Sequence, residues 1–428
     1  MTSDRSGGKA PEEAYVWIWL PGATAPVVAG RIARDGQRLI FNYGRSYLGR
    51  LGGIPIYEPE LPLRSGAIAP EAGLGMAGCL RDAAPDAWGR RVILNRIFGG
   101  KGENADTDAL DELNYLLESG SDRSGALDFQ SSPSEFVPRA VQCATLEELL
   151  NAAEKVEKGA PLSPELDQAL LRCTSLGGAR PKAMIEDGDK KMIAKFPSST
   201  DTYNVVKAEF VAMRLAAGAG LNVAPASLAH AGGKDILLVE RFDRARTSRG
   251  WTRKAMVSAL TLFGLDEMQA RYASYEDLAE IIRRRFTSPK ATLRELFGRL
   301  VFNVLCGNTD DHARNHAAFW DGERLTLTLT PAYDICPQSR SGNAASQAML
   351  IVGDNRTSRL ATCLDAAPNF QLGEKPAKDI IARQIATIRD EWDDICTVAA
   401  LTEVERSLFR RRLFLNDFIF EGAAEGLQ

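Results

Sequence analysis

Apolar residues recur along this chain with two periods, and the change between them divides it. Ala14-Tyr15-Val16-Trp17-Ile18-Trp19-Leu20 and Arg38-Leu39-Ile40-Phe41-Asn42-Tyr43 are short apolar or alternating runs, and they predict strands. Residues 1–13 open polar and glycine-bearing, which predicts disorder. Gln130 to Pro138 is a Ser/Pro-rich link. Thr145 with Glu148 three places on is a capping-box signature that opens a helix. Lys182-Ala183-Met184-Ile185 and Lys191-Met192-Ile193-Ala194-Lys195-Phe196 predict two strands around the turn Glu186-Asp187-Gly188-Asp189. Val205, Val206, Phe210, Met213 and Leu215 then fall at helical spacing, and Asp235 to Val239 reads as a buried strand entering a charged turn. From Lys254 onward the pattern is mostly helical. Leu278, Ile281, Ile282 and Phe286 repeat on one face, and Thr402 with Glu405 starts an amphipathic run ending near Phe420.

Composition narrows the class. A chain of 428 residues suggests two or three units at about 150 residues per domain. Hydrophobic residues at 45% and charged residues at 25% can support a sizeable core. A net charge of −4 argues against broad nonspecific nucleic-acid binding. Two basic clusters, Arg244 to Lys254 and Arg283-Arg284-Arg285, read first as solvated loop or helix faces, and second as contacts to phosphates or to a DNA-bound partner. The seven cysteines show no CxxC and no framework spacing, which suits a reducing compartment. Three histidines give no zinc-ligand spacing. No basic-then-apolar leader opens the chain, and no segment reaches the roughly 18 apolar residues of a membrane span. The expected location is the cytoplasm, with no membrane partner.

The chemistry concentrates in Asn308-Thr309-Asp310-Asp311-His312-Ala313-Arg314-Asn315, followed by Tyr333-Asp334. Protein kinases space a catalytic Asp, a metal-binding Asn and a metal-binding Asp in this order. Asp310 fits the first role better than Asp311, because four residues separate it from Asn315. Such spacing also arises by chance, so the upstream residues matter. Ser175-Leu176-Gly177-Gly178-Ala179-Arg180-Pro181-Lys182 is an anion-capable glycine loop or an ordinary turn, since it is neither a P-loop nor a G-x-G-x-x-G. Lys195 inside an apolar strand is either an edge lysine reaching water or a phosphate-binding lysine. Glu209, fourteen residues on in the helical pattern, is placed to pair with it. His312 reads more readily as a structural loop residue than as a proton shuttle. His316 reads as a cap on the following strand, and His230 has no visible partner.

Together these segments resemble the HipA family of serine/threonine kinases, the toxin half of a bacterial toxin–antitoxin pair. The carriers are SLGGARPK (175–182), MIAKFP (192–197), VERFDR (239–244), FNVLCGNTDDHARNH (302–316) and LTPAYDICP (329–337), with GCLRDAAPDAWGRRVI (78–93) and LNYLLESGSDRSGALDF (113–129) upstream. The resemblance implies an α+β, two-lobed protein-kinase-like fold, with a mixed α/β N-terminal half and a mainly helical C-terminal half. It implies a HipA N-terminal domain over 14–135, an ATP-clamping lobe over 136–243 and a helical lobe over 244–428. It implies ATP and Mg2+ as cofactors. Asp310 would be catalytic, and Asn315 and Asp334 would bind metal. Lys195, Glu209, Lys182, Gly177, Gly178 and His312 would lie on the nucleotide side, with Glu240 and Phe242 bordering the adenine. Ser175 would be the autophosphorylated serine, with Thr174 the alternative acceptor. Arg180-Pro181 stands where well-known members carry Gln-Glu, which bears on the loop's autoregulation. The partners implied are a helix-turn-helix, HipB-like antitoxin, DNA only through it, and a protein substrate such as an aminoacyl-tRNA synthetase. A nucleotide-binding scaffold or corepressor without transfer activity, and an unrelated nucleotide-dependent transferase, are the competing readings.

Overall fold

Strand alternation at the start of the chain builds a sheet. A computed structural model describes residues 11–99, 110–139, 144–171, 178–340 and 342–423. Its contacts divide the chain into two compact units, residues 1–183 with 245–255, and residues 184–244 with 256–428.

In the first unit, β1 (Glu13–Ile18), β2 (Val27–Asp35), β3 (Arg38–Tyr43) and β4 (Leu127–Gln130) form an antiparallel sheet in the order β3-β2-β1-β4. Ala14, Val16 and Ile18 are fully or almost fully buried, as the alternation requires. Gly30 in β2 has no room for a side chain, since a Cβ there would sit 2.2 Å from the Asn42 carbonyl oxygen. Asp86 and Asp111 cap the helices Ala87–Phe98 and Glu112–Glu118 through the amides of Gly89 and Asn114. The Arg123–Asp128 ion pair, 2.8 Å long, is wholly buried, and Arg139 reaches the same carboxylate at 2.7 Å. Both arms of the Thr145–Glu148 capping box are formed at the helix Leu146–Glu157. The basic segment after Arg244 is a hairpin, Arg244–Thr247 with Gly250–Arg253, rather than a loose loop or a helix face. Arg253 stacks 3.4 Å over the Trp19 ring and donates to the Ser121 carbonyl, so part of this basic cluster is engaged in packing.

In the second unit, β5 (Lys182–Asp187, of which Met184–Asp187 belong here), β6 (Lys190–Lys195), β7 (Ala226–Ala231) and β8 (Lys234–Glu240) form a sheet in the order β5-β6-β8-β7. The helix Val205–Gly218 is capped by Asn204 and buried over most of its length. The helices Tyr275–Arg285, Pro289–Cys306 and Glu374–Val398 dominate the rest. A three-stranded sheet of Met256–Ser258, Ala317–Asp321 and Thr326–Leu329 interrupts the expected helical pattern, because short strands between turns carry little periodic signal. The amphipathic run after Thr402 is broken into a short helix Glu403–Leu408, a π-turn Phe409–Leu413 and a 3-10 turn Asp417–Phe420. Leu415 takes a left-handed conformation there, which ends helical propagation. Five described cysteines, 79, 306, 336, 363 and 396, are buried. Among the described residues no helix is long and apolar enough to cross a membrane.

Candidate active site

Lys195 closes β6, an interior strand, so it is not an edge lysine. Met192 and Ala194 are buried along the same strand, and the Lys195 ammonium is largely covered. Its Nζ lies 2.5 Å from Glu209 Oε1, on the buried face of the Val205–Gly218 helix, and also contacts Asp334 Oδ1. Burial alone would pull the lysine pKa down. The Asp334 and Glu209 carboxylates outweigh it, and the net shift is upward. The lysine is therefore held charged between two carboxylates that come from distant parts of the chain.

The helix Pro289–Cys306 ends at Gly307, whose left-handed φ of 71° admits the turn. A Cβ on Gly307 would meet the Leu413 carbonyl oxygen at 2.7 Å. The turn then presents two adjacent aspartates to different surroundings. Asp310 is exposed, whereas Asp311 is buried, 3% exposed. The Tyr275 hydroxyl donates to Asp311 Oδ2, and His316 Nε2 lies 3.0 Å from Oδ1. Burial pushes the Asp311 pKa up, but His316 and Tyr275 overturn it and hold the carboxyl below its usual range. Asp310 is shifted the other way. Although Asp310 is exposed, partial desolvation by the surrounding protein raises it, His312 opposes, and the charges of Asp334 and Asp311 raise it further. Asn315 Nδ2 donates to the Asp310 carbonyl at 3.1 Å, closing the loop on itself. Tyr333 Oη donates to the Arg314 carbonyl at 2.7 Å, and Asp334 follows at a left-handed φ of 58°. Aspartate is among the non-glycine residues that tolerate this conformation, which four other described non-glycine residues also take.

The other expected residues fall in several places. Glu240 ends β8 and pairs with Lys190 at 2.7 Å. The Phe242 ring is half-buried against Phe319 and Tyr333, with centroids at 5.8 and 5.6 Å. His312 Nδ1 is buried and has no hydrogen-bond partner among the described residues. His316 packs its ring on Tyr275 and Asp311, a different role from a strand cap. His230, exposed, has Asp235 at 3.3 Å. Lys182 and Gly178 belong to the first unit. There the Lys182 ammonium is buried 3.9 Å from Asp86, and a Cβ on Gly178 would sit 2.3 Å from it. Ser175, Thr174 and Gly177 lie outside the described residues.

Comparison with known proteins gives the family and the fold. The pattern of the HipA-like C-terminal domain matches residues 174–392, just over half of the chain, and that of the HipA N-terminal domain matches 18–130. The chain belongs to the HipA family. A kinase-named protein of Sinorhizobium fredii, Y4mE, is 31% identical over 151 residues, 34% of this chain and 34% of that protein. The serine/threonine-protein kinase toxin HipA of Shewanella oneidensis is 28% identical over 149 residues, 31% of this chain and 34% of that protein. The chain thus aligns with about a third of the length of these curated relatives. Among solved structures, HipA in the Shewanella oneidensis complex of HipA, HipB and operator DNA superposes with a TM-score of 0.67 at 19% identity, covering 90% of this chain and 92% of that one. The fold is the mixed-sheet-then-helical, kinase-like fold of the HipA family.

The donor set of this HipA-family chain suits a hard cation. Asp310 and Asp334 are close enough for one charge to raise the other's pKa. The Asn315 amide nitrogen is spent on the Asp310 carbonyl, so its carboxamide oxygen is the atom that could face a cation. Magnesium takes such oxygens together with substrate phosphates and water. Sequence reasoning missed Asn308, Asn303, Tyr275 and Tyr203. Asn308 Nδ2 reaches Asn303 Oδ1 at 3.0 Å and the Asp334 carbonyl at 3.5 Å. The one signal for it was its place inside the 308–315 motif. Nothing local marks Tyr203 or Tyr275.

Proposed function

We propose that this chain is an ATP- and magnesium-dependent protein serine/threonine kinase of the HipA type. The observation that carries the reading is the meeting, in one unit, of the Lys195–Glu209–Asp334 ion cluster with the Asp310–Asn315 loop. Phosphoryl transfer needs positioned charges more than covalent chemistry. Glu209 aims Lys195, and Lys195 contacts the nucleotide phosphates. Glu240 and Phe242 border the adenine, and His312 lies on the nucleotide side. Asp334 and Asn315 hold magnesium, which when bound neutralises charge on the transferring group. Asp310 orients the substrate hydroxyl and accepts its proton, and its raised pKa makes it a better base than an ordinary carboxylate.

The finer proposals rest on the family. Ser175 is the autophosphorylation site. A phosphate there adds about two negative charges, which compete with nucleotide phosphates for the same donors. The Shewanella oneidensis structure holds HipA with HipB and operator DNA, which supports a HipB-like antitoxin as the partner. On this reading the antitoxin is a helix-turn-helix protein and DNA is reached only through it. The target is a translation component such as an aminoacyl-tRNA synthetase, and the chain acts in the cytoplasm. The test is incubation with labelled ATP, with and without magnesium. Label should appear on the protein only with magnesium and should map to the Ser175 peptide. No label would leave a nucleotide-binding scaffold or corepressor as the reading, and label confined to Thr174 would move the site. Ser175→Asp should weaken ATP binding, and Ser175→Ala should largely keep it.

A further inference from the structure

Asp334 adopts a left-handed backbone conformation that most L side chains avoid, and its surroundings hold it there. Two residues before it, Ala332 exchanges backbone hydrogen bonds with Asn222 and Ala224, and the segment from Tyr333 to Gln338 is pinned at four further points. Tyr333 Oη donates to the Arg314 carbonyl, and Asn308 Nδ2 lies 3.5 Å from the carbonyl of Asp334 itself. The Gln338 amide donates to the Gly307 carbonyl at 3.0 Å. Those three pins come from the loop that carries Asp310. The fourth comes from the other side of the cluster. Tyr203 Oη donates to the Pro337 carbonyl at 2.5 Å. Tyr203 stands immediately before Asn204, the cap of the helix that carries Glu209. Its ring packs edge-on against Phe409, with centroids 6.1 Å apart, so the phenol is aimed by packing.

We propose that Tyr203 is a positioning residue for Asp334. Its hydroxyl ties the start of the Glu209 helix to the segment that follows the metal-binding carboxylate. Glu209 and Asp334 reach the same ammonium, so the distance between their two backbones must be set by something other than the lysine's flexible stem. The Ala332 backbone pairing fixes it beyond the end of the Glu209 helix, and the Tyr203–Pro337 bond fixes it at the start. The inference rests on the kinase reading above, since it assigns a support to that site's metal ligand.

Tyr203→Phe removes one oxygen and keeps the ring on Phe409. In the nucleotide-free protein, amide hydrogen exchange across residues 331–340 should quicken. In the transfer assay the half-saturating Mg2+ concentration should rise about two- to tenfold, the range one net hydrogen bond supplies. Metal-free binding of a fluorescent ATP analogue and the melting temperature should stay near the parent's. Leu327→Ala, a core truncation in the three-stranded sheet away from Tyr203, should do the reverse, lowering the melting temperature while keeping the parental Mg2+ dependence. If Tyr203→Phe exchanges and responds to Mg2+ as the parent does, while Asp334→Asn has lost transfer, the positioning role is wrong and the kinase reading stands. If both variants lower stability and shift Mg2+ dependence alike, Tyr203 is only structural and the inference is overturned. A parent protein with no Mg2+-dependent transfer would overturn the kinase reading, and this inference with it.

Discussion

Asp310 and Asp311 are neighbours with the same side chain, yet they sit in two regions with opposite logic. Asp311 faces inward, where Tyr275 and His316 satisfy it and its pKa is depressed. Asp310 faces outward, where partial desolvation and the charges of Asp334 and Asp311 raise its pKa. The inner carboxylate ties the turn to the helical core. The outer one has only the opposing charge of His312, in a cluster whose lysine, Lys195, is already shared by two other carboxylates. A group kept poorly stabilised in its charged form is ready to take a proton or share a metal. A fully satisfied group is not.

The sharpest way to break this comparison is to neutralise each residue in turn. Asp310→Asn should lower transfer by about 10²- to 10⁴-fold, the usual cost of losing a positioned general base, with the melting temperature retained. Asp334→Asn should cost about 10²- to 10³-fold by removing charge stabilisation at the same site. Transfer at the parental rate in either variant would misplace the site. Asp311→Asn should instead lower stability by about 1–3 kcal/mol, read by denaturant unfolding, because it leaves buried partners poorly matched. The spacing argument alone makes Asp311 the mild control. Its burial makes it mild for transfer per folded molecule and costly for the fold. Equal losses of transfer in Asp310→Asn and Asp311→Asn, at equal folded fraction, would show that local charge and not position carries the effect.

The smallest effect is the most discriminating. Asp310 should titrate above the ordinary carboxylate range in a carbon-detected NMR titration of ligand-free protein. Transfer needs the ionised form, so kcat/KM, which reports the free enzyme, should rise with pH through that midpoint. Asp334→Asn removes one of the charges that raises it, and the midpoint should move down toward the usual value. Asp311 should behave oppositely. Its pKa is depressed, so its contribution to stability is present above the ordinary carboxylate range and fades as pH falls through the lowered value. Parallel titration of the two aspartates would contradict the division into inner and outer regions.

What the sequence by itself determined was whatever depends on neighbours along the chain. Both capping boxes, Thr145–Glu148 and Thr402–Glu405, are local hydrogen-bond exchanges, and both form as read. Strands with strong alternation were legible, and so was the Asp310–Asn315 loop, because five residues of fixed spacing bring their own geometry. Lys195 with Glu209 was readable as a pair only through the kinase pattern, since fourteen residues and a change of element separate them. Only the tertiary structure decided the rest. It made β6 an interior strand, so that Lys195 is enclosed rather than solvated. It turned the basic stretch after Arg244 into a hairpin seated on Trp19. It put Tyr275 on Asp311 and Tyr203 on Pro337, contacts spanning 36 and 134 residues. Periodicity records which face of an element is apolar, but not which distant backbone carbonyl a phenol will find. That choice is made when the elements pack, and packing also assigned the two aspartates their opposite roles.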